Sequence, residues 1–303
     1  GGAGNDTIKG VDGTNQLLGG AGNDTIYSGL GDDVINGGAD NDTVSFEDAT
    51  GNITVDLATT TAQIIGGGMG TDTITSVENV IGSSNDDSIT GNSGINTLIG
   101  GAGDDKFVAT NGSDTYYGGT FNGTTHTVAV GEYNRVDYAN VAKVYVDLSD
   151  TSTDANGNVY AEALKSNSFA NDGFASNIES TDRLYGIINL KGSSSYDTLI
   201  GDSQGNKLEG MAGDDILEGK GGDDVLIGGT GNDTFVATAY NDGADDIDGG
   251  ADSDTIDYSA LGASNAITVT LAGADTYATV TVTGGDNDRS EERRVGKECR
   301  SRW

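Results

Sequence analysis

The sequence predicts an all-β solenoid of stacked short strands, and three observations predict it. Units of nine residues recur in register from Gly1 onward, and a unit that short buries its apolar side only against copies of itself. The eighth place of each unit is a large aliphatic or aromatic residue, preceded by a stretch rich in Gly, Asn and Asp. The chain of 303 residues has 50 Gly, no Pro and only 34% apolar residues, too little core-forming material for packed helices.

Charge narrows the partners. The 48 Asp and Glu outnumber 15 Lys and Arg, and the formal charge of -33 argues against nucleic acid or an anionic membrane face and in favour of cations. No apolar run reaches the roughly 18 residues of a membrane span. No basic-then-apolar opening resembles a signal peptide, an absence without weight because the chain opens inside a repeat.

The elements follow in order. Residues 1–45 read GGAGNDTIK, GVDGTNQLL, GGAGNDTIY, SGLGDDVIN and GGADNDTVS. Their sixth places are Asp6, Asn15, Asp24, Asp33 and Asp42, and their eighth places Ile8, Leu17, Ile26, Ile35 and Val44. Residues 46–81 form a spacer of 36 residues, four times nine, so the register is expected to survive it. A second run, 82–117, has Asp87, Asn96, Asp105 and Asp114 in sixth place, and a longer β-rich spacer occupies 118–191. The third run, 192–257, carries Asp197, Asn206, Asp215, Asp224 and Asp233, then Asp245 and Asp254 after the three extra residues 237–239. Residues 258–288 begin another spacer. Three segments, 42–57, 134–148 and 254–271, share a Val or Ile, one residue and then an aromatic, Phe46, Tyr138 or Tyr258, ahead of alternating stretches such as ITVDL and VYVDL, which read as strands with one buried face.

Residues 289–303, RSEERRVGKECRSRW, share no pattern with the rest and hold six of the basic residues, the only Cys and the only Trp. They resemble the conceptual translation of a sequencing adapter, the alternative being a basic secretion tail, and are set aside from the fold argument. Without them 9 basic residues face 45 acidic ones, a net of -36, and Cys299 supports no disulfide or metal argument.

The units resemble the nonapeptide G-G-x-G-x-D-x-U-x of the RTX, or haemolysin-type, calcium-binding family, U being a large aliphatic. The resemblance is close over 1–45, 82–117 and 192–257. It implies a right-handed parallel β-roll, or β-helix solenoid: the first six residues of a unit form a turn that binds Ca²⁺, the last three a strand, and two units one coil. The spacers are then wider, metal-poor β-helical coils that extend the stack, or that present a groove for a carbohydrate or other partner.

The residue chemistry agrees. Glycines at places one, two and four permit positive φ and close backbone approach, which turns carbonyl oxygens inward. Ca²⁺ takes six to eight oxygens, and carbonyls alone lack the negative charge that a sixth-place carboxylate adds. The expected ligands are Asp6, Asp24, Asp33, Asp42, Asp87, Asp105, Asp114, Asp197, Asp215, Asp224, Asp233, Asp245 and Asp254. Carbonyls near Gly2, Gly4, Gly20, Gly22, Gly101, Gly103, Gly213, Gly222, Gly229 and Gly231 are expected to complete the cages.

Alternate units share a side of the roll, so sites should join sixth places two units apart. Asp6 with Asp24, Asp24 with Asp42, Asp87 with Asp105, Asp197 with Asp215 and Asp215 with Asp233 are the strongest expected pairs. Those containing Asn15, Asn96 or Asn206 should be weaker. Asp40 at a fourth place, and Ser194 and Ser195 in GSSSYDTLI, mark turns expected to lack metal. A site of Kd ~0.1 mM in ~1 mM Ca²⁺ gains about 1.4 kcal/mol, and five coupled sites roughly 7 kcal/mol, comparable to a whole domain's stability. A largely disordered metal-free chain is therefore expected.

Catalysis is not expected. His126 is the only histidine, in a Thr-rich stretch that reads as surface, and the chain has no H-E-x-x-H, G-x-S-x-G or G-x-x-x-x-G-K-[ST]. Carboxylates that recur once per unit are not the unique constellation an active site needs. The resemblance implies a calcium-folded portion of a large secreted bacterial protein exported by a type I machinery, with calcium as partner and an extracellular polysaccharide or cell-surface molecule as a candidate one. The alternative is an accessory module of an extracellular enzyme, a serralysin-like protease or alginate epimerase, or of an adhesin.

Overall fold

The computed structural model describes residues 1–166, 178, 180–238 and 243–261, together with the backbone of four further strands, Ala266–Leu271, Ala278–Thr283, Glu291–Val295 and Cys299–Arg302. Most of the 258–288 spacer, the side chains of the tail and Trp303 lie outside the described residues. Among the described residues the elements are strands, mostly of two to six residues, and one 3-10 turn at Ser259–Leu261. The chain forms two compact units, one of residues 1–140, 152–160 and 180–187, the other of 141–151, 161–179 and 188–303.

In the first unit one face is a parallel ladder of Thr7–Lys9, Thr25–Tyr27, Thr43–Ser45, Asn79–Ile81, Thr97–Ile99, Thr115–Tyr117 and Ser180–Tyr185. The opposite strands are Gly2–Ala3, Gln16–Ala21, Val34–Ala39 and Thr71–Thr75, then a separate ladder of Thr54–Asp56, Ser88–Thr90, Lys106–Val108 and Arg135–Asp137. Pairing at a step of 18 residues aligns the eighth places, so Ile8, Ile26, Val44, Val80, Leu98, Tyr116 and Leu184 form one column. All but Ile8 are buried. The period-two alternation of a strand sends the eighth place inward while the seventh and ninth face out.

The second unit repeats the design. Val144–Thr153, Thr198–Ile200, Ile216–Glu218, Thr234–Val236 and Asp254–Asp257 stack on one side, with Val146, Leu199, Leu217, Phe235 and Ile256 as the buried column. Asn189–Lys191, Lys207–Ala212, Val225–Thr230 and Asp246–Ala251 form the other, with Leu190, Leu208, Leu226 and Ile247 inside. The strands Glu291–Val295 and Cys299–Arg302 of the tail each add one rung to these ladders. An open solenoid end offers unpaired backbone to any extended segment, whatever its sequence. The chain is a parallel β-roll.

The spacers keep the register by different means. Val44 pairs with Val80 although 36 residues separate them, so on this face the spacer counts as a single rung. On the other face Ser88–Thr90 pairs with Thr54–Asp56, not with Thr71–Thr75. The three spacer aromatics, Phe46, Tyr138 and Tyr258, are all buried.

Candidate metal centres

Strand pairing sets each sixth-place residue directly above its counterpart one coil away. Twelve of the thirteen predicted aspartates are buried, at 0 to 3% exposure, and Asp6 is partly buried. One carboxylate oxygen builds the stack. The backbone N–H of Asp6 donates to Asp24 Oδ1, that of Asp24 to Asp42, Asp87 to Asp105, Asp197 to Asp215 and Asp215 to Asp233, at 2.7 to 2.9 Å. The weaker pairs, Asn15 with Asp33, Asn96 with Asp114 and Asn206 with Asp224, follow the same rule at 2.7 to 2.9 Å. Asp245 and Asp254 accept from the N–H of Asp224 and Asp233 at 3.2 and 3.0 Å.

The fifth places run the opposite way. The N–H of Asn41 donates to Asn23 Oδ1, that of Asp104 to Asp86 and that of Asn232 to Asp214, at 2.7 to 3.1 Å. Adjacent residues thus bond one coil forward and one coil back, which satisfies turn N–H groups that no sheet reaches.

The second carboxylate oxygen separates the turns. Oδ2 of Asp6, Asp24, Asp33, Asp42, Asp105, Asp215 and Asp233 is buried and has no hydrogen-bond partner. Among the described residues, the ion pairs Lys106–Asp137, Lys207–Glu209 and Lys220–Glu218 reach none of these aspartates. Burial raises the proton affinity of five of them: Asp105 and Asp215 are pushed up to about 8 and Asp233 to about 6, while Asp33 and Asp42 are raised as well. An unpaired buried carboxylate is costly, and either a proton or a cation relieves that cost.

The backbone around these oxygens explains why. All ten glycines expected to bring carbonyls inward have positive φ, between 103° and 129°. At Gly19 a β-carbon would overlap both Asp24 Oδ2 and the carbonyl oxygen of Gly37 in the next coil. Only a residue without a side chain lets carboxylate and carbonyl converge there.

Asp87 and Asp197 differ from expectation. Oδ2 of each accepts the N–H of the second-place serine, Ser83 at 2.5 Å and Ser193 at 2.6 Å, and Oδ1 accepts the same serine's hydroxyl at 3.0 and 3.1 Å. Asp114 Oδ2 accepts from the Thr110 and Tyr116 hydroxyls at 3.1 and 3.2 Å. These carboxylates are hydrogen-bonded on both oxygens within the protein, unlike those whose Oδ2 has no partner. The GSSSYDTLI turn is closed by Ser193 on Asp197. The turn with Asp40 is not: Asp40 takes the left-handed φ of a fourth-place glycine, 82°, with its Oδ2 accepting the Gly22 N–H at 3.0 Å, and Asp42 Oδ2 stays without a partner.

Four ladder residues escaped the nine-residue reading. Asp72 Oδ1 accepts the Asp33 N–H at 2.9 Å, Glu78 Oε2 that of Asp42 at 2.9 Å, Asn134 Oδ1 that of Asp105 at 2.8 Å and Asp182 Oδ1 that of Asp114 at 2.8 Å. Asp72 is fully buried, its Oδ2 has no partner, and burial pushes it up to about 7. The signal was present: GGMGTDTIT, residues 67–75, has the full repeat pattern, but three residues out of phase with the first run. The spacer 46–81, expected to be metal-poor, thus contains one repeat turn.

His126 is half-buried and not a surface residue as expected. It packs on the Tyr117 and Tyr185 rings at 5.4 and 5.8 Å, its Nε2 accepts the Gly119 N–H at 3.2 Å, and burial pushes its pKa down to about 4. Tyr117 stacks on Tyr185 and Phe121 at 4.4 and 4.2 Å, so the inserted hairpin covers outward-facing ninth places of the roll.

A parallel roll whose turns stack buried carboxylates coil on coil defines the class: a repeat solenoid with an acidic ladder along its turns. The RTX calcium-binding nonapeptide repeat matches over residues 1–16, 9–44, 81–116, 90–124, 189–217, 200–235 and 241–256, about half of the chain. The chain belongs to this RTX family and carries its calcium-binding repeats. No curated protein matches it. Among solved structures it is similar to the extracellular lipase LipA from Serratia marcescens, at 19% identity and a TM-score of 0.22, over 72% of this chain and 37% of that one.

The residues fit calcium. No three His, Cys, Asp or Glu side chains converge among the described residues, so a side-chain-only cage is absent there. The donor set available at each open turn is one or two carboxylate oxygens among backbone carbonyls. This all-oxygen set suits a hard cation and not a thiolate- or imidazole-seeking one.

Proposed function

We propose that this chain is a calcium-induced folding module of a larger secreted protein, non-catalytic in itself, with Asp6, Asp24, Asp33, Asp42, Asp72, Asp105, Asp215 and Asp233 as the principal ligands. The carrying observation is that Oδ2 of each is buried without a partner. A bound Ca²⁺ supplies positive charge between coils. The chain's own residues do the rest: glycine turns bring carbonyls near, Oδ1 fixes each carboxylate against the next coil, and the eighth-place column excludes water beneath. In low calcium the carboxylates repel and the thin core cannot compensate, which suits a chain exported unfolded and folded where calcium is millimolar.

The test is circular dichroism and calorimetry of residues 1–288 titrated with Ca²⁺ after chelation. Strand signal should appear with calcium uptake, several ions per chain. A chain fully folded in chelator and silent to calcium overturns the reading.

A further inference from the structure

The second place of each turn divides the turns into two kinds. Where Oδ2 of the sixth-place aspartate has no partner, the second-place residue has positive φ: 125° at Gly20, 117° at Gly38, 111° at Gly101 and 86° even at Met211. That backbone turns its N–H away from the carboxylate. At Val11, Ser83, Asn92, Ser193 and Asp202 φ is not positive, and the N–H donates to the sixth-place side chain instead, at 2.5 to 3.1 Å.

Three of these five turns carry Asn in sixth place, and the amide supplies donors that a carboxylate lacks. Asn15 Nδ2 donates to the carbonyls of Val11 and Gly13 at 2.8 and 2.5 Å, which are the second- and fourth-place carbonyls. Asn96 Nδ2 donates to the Glu78 carbonyl at 2.8 Å and to Asn92 Oδ1 at 3.2 Å. Asn206 Nδ2 donates to the Ile188 carbonyl at 2.8 Å and to Asp202 Oδ1 at 3.3 Å. In each the partial positive charge of the N–H₂ group does the work assigned elsewhere to the ion.

The closed turns are not scattered. Residues 82–99 and 192–209 each hold two in succession, a serine-closed turn and then an asparagine-closed one, and two units make a coil. We propose that these two coils close on hydrogen bonds alone and are metal-independent starting coils on which the calcium-dependent coils that follow are built. This rests on the calcium reading and adds to it a division of labour: some turns respond to calcium, and others template the response. The physical reason is cooperative. A coil already formed offers its strand edges and fifth-place acceptors to the next, so the next ion binds a half-built site.

Hydrogen exchange by mass spectrometry on the full chain, in chelator and in millimolar calcium, tests it. In chelator, 82–99 and 192–209 should exchange at least tenfold more slowly than 19–45, and in calcium all three should be protected. Asn96→Asp replaces the amide donors by an acceptor; it should abolish the chelator-state protection of 82–99, restore it in calcium, and raise the ions retained in equilibrium dialysis by one. Uniformly fast exchange in chelator, with normal calcium protection, overturns the starting coils while leaving the calcium reading intact. An Asn96→Asp variant with unchanged chelator protection and ion count also overturns them. Absence of any calcium response would instead sink the functional reading itself.

Discussion

The backbone N–H of Asp24 donates to Asp42 Oδ1 at 2.8 Å, while Oδ2 of Asp42 is buried with no hydrogen-bond partner. One carboxylate therefore has two tasks on two oxygens. Oδ1 sets the coil-to-coil register, and Oδ2 faces the turn where a cation would compensate its charge. The same division holds at Asp215, whose Oδ1 accepts the Asp197 N–H at 2.7 Å and whose Oδ2 is likewise unpartnered.

Replacing Asp215 by Ala should consequently cost more than one ion's worth of affinity. It removes a ligand and strands the buried Asp197 N–H, a loss of about 1–3 kcal/mol for the unsatisfied donor. Calorimetry should show at least one ion fewer, and urea unfolding in saturating calcium a lower midpoint.

Calcium binding should release protons. Asp105 and Asp215 are pushed up to about 8 and Asp72 to about 7 by burial, against about 3.9 unfolded. Between about pH 4 and 8 the metal-free folded state holds more protons than the unfolded one, so its stability falls as pH rises through that window. Calcium must displace those protons, so its affinity should climb from pH 6 to 8. Titrations at fixed pH in buffers of different ionisation heat measure the protons released.

The core column should be sensitive out of proportion to its size. Phe235 lies between Leu217 and Ile256 at 1% exposure, with only one large residue per strand to share the loss. Phe235→Ala should cost about 3–5 kcal/mol in calcium-saturated unfolding. Its side chain carries no oxygen, so calcium uptake of the folded variant should keep its stoichiometry.

The hairpin around His126 should open in acid. Its folded pKa, about 4, lies below the unfolded value of about 6.5. In that interval the unfolded segment takes up a proton that the folded one excludes, so stability falls as pH drops from about 6.5 to 4 and changes no further below. Amide exchange of 119–127 in saturating calcium should accelerate over that range in the wild type and show no such step in His126→Phe.

How far the site was legible can be read at particular residues. The sixth-place aspartates were legible because a fixed period places them on one line whatever the surroundings. Asp72 was in the sequence too, but the excursion before it shifts the phase by three residues, and a strict count passes over it. Asp182 and Asn134 sit in turns without the glycine pattern, and only the backbone bonds to Asp114 and Asp105 reveal them as rungs. His126 read as exposed because the Tyr185 ring that helps cover it comes from far along the chain.

The sequence by itself determined the nine-residue array, its line of eighth-place apolar residues and its acidic line, since these follow from periodicity, while the parallel roll was what the resemblance to the RTX repeat implied. Which carboxylates remain open was decided only in the tertiary structure. That depends on the direction of one N–H, and direction is a matter of φ: Met211 and Lys220 adopt the left-handed value without being glycine, and Ser83 and Ser193 do not. A residue's type sets the cost of that conformation, but the coils stacked above and below it decide whether the cost is met.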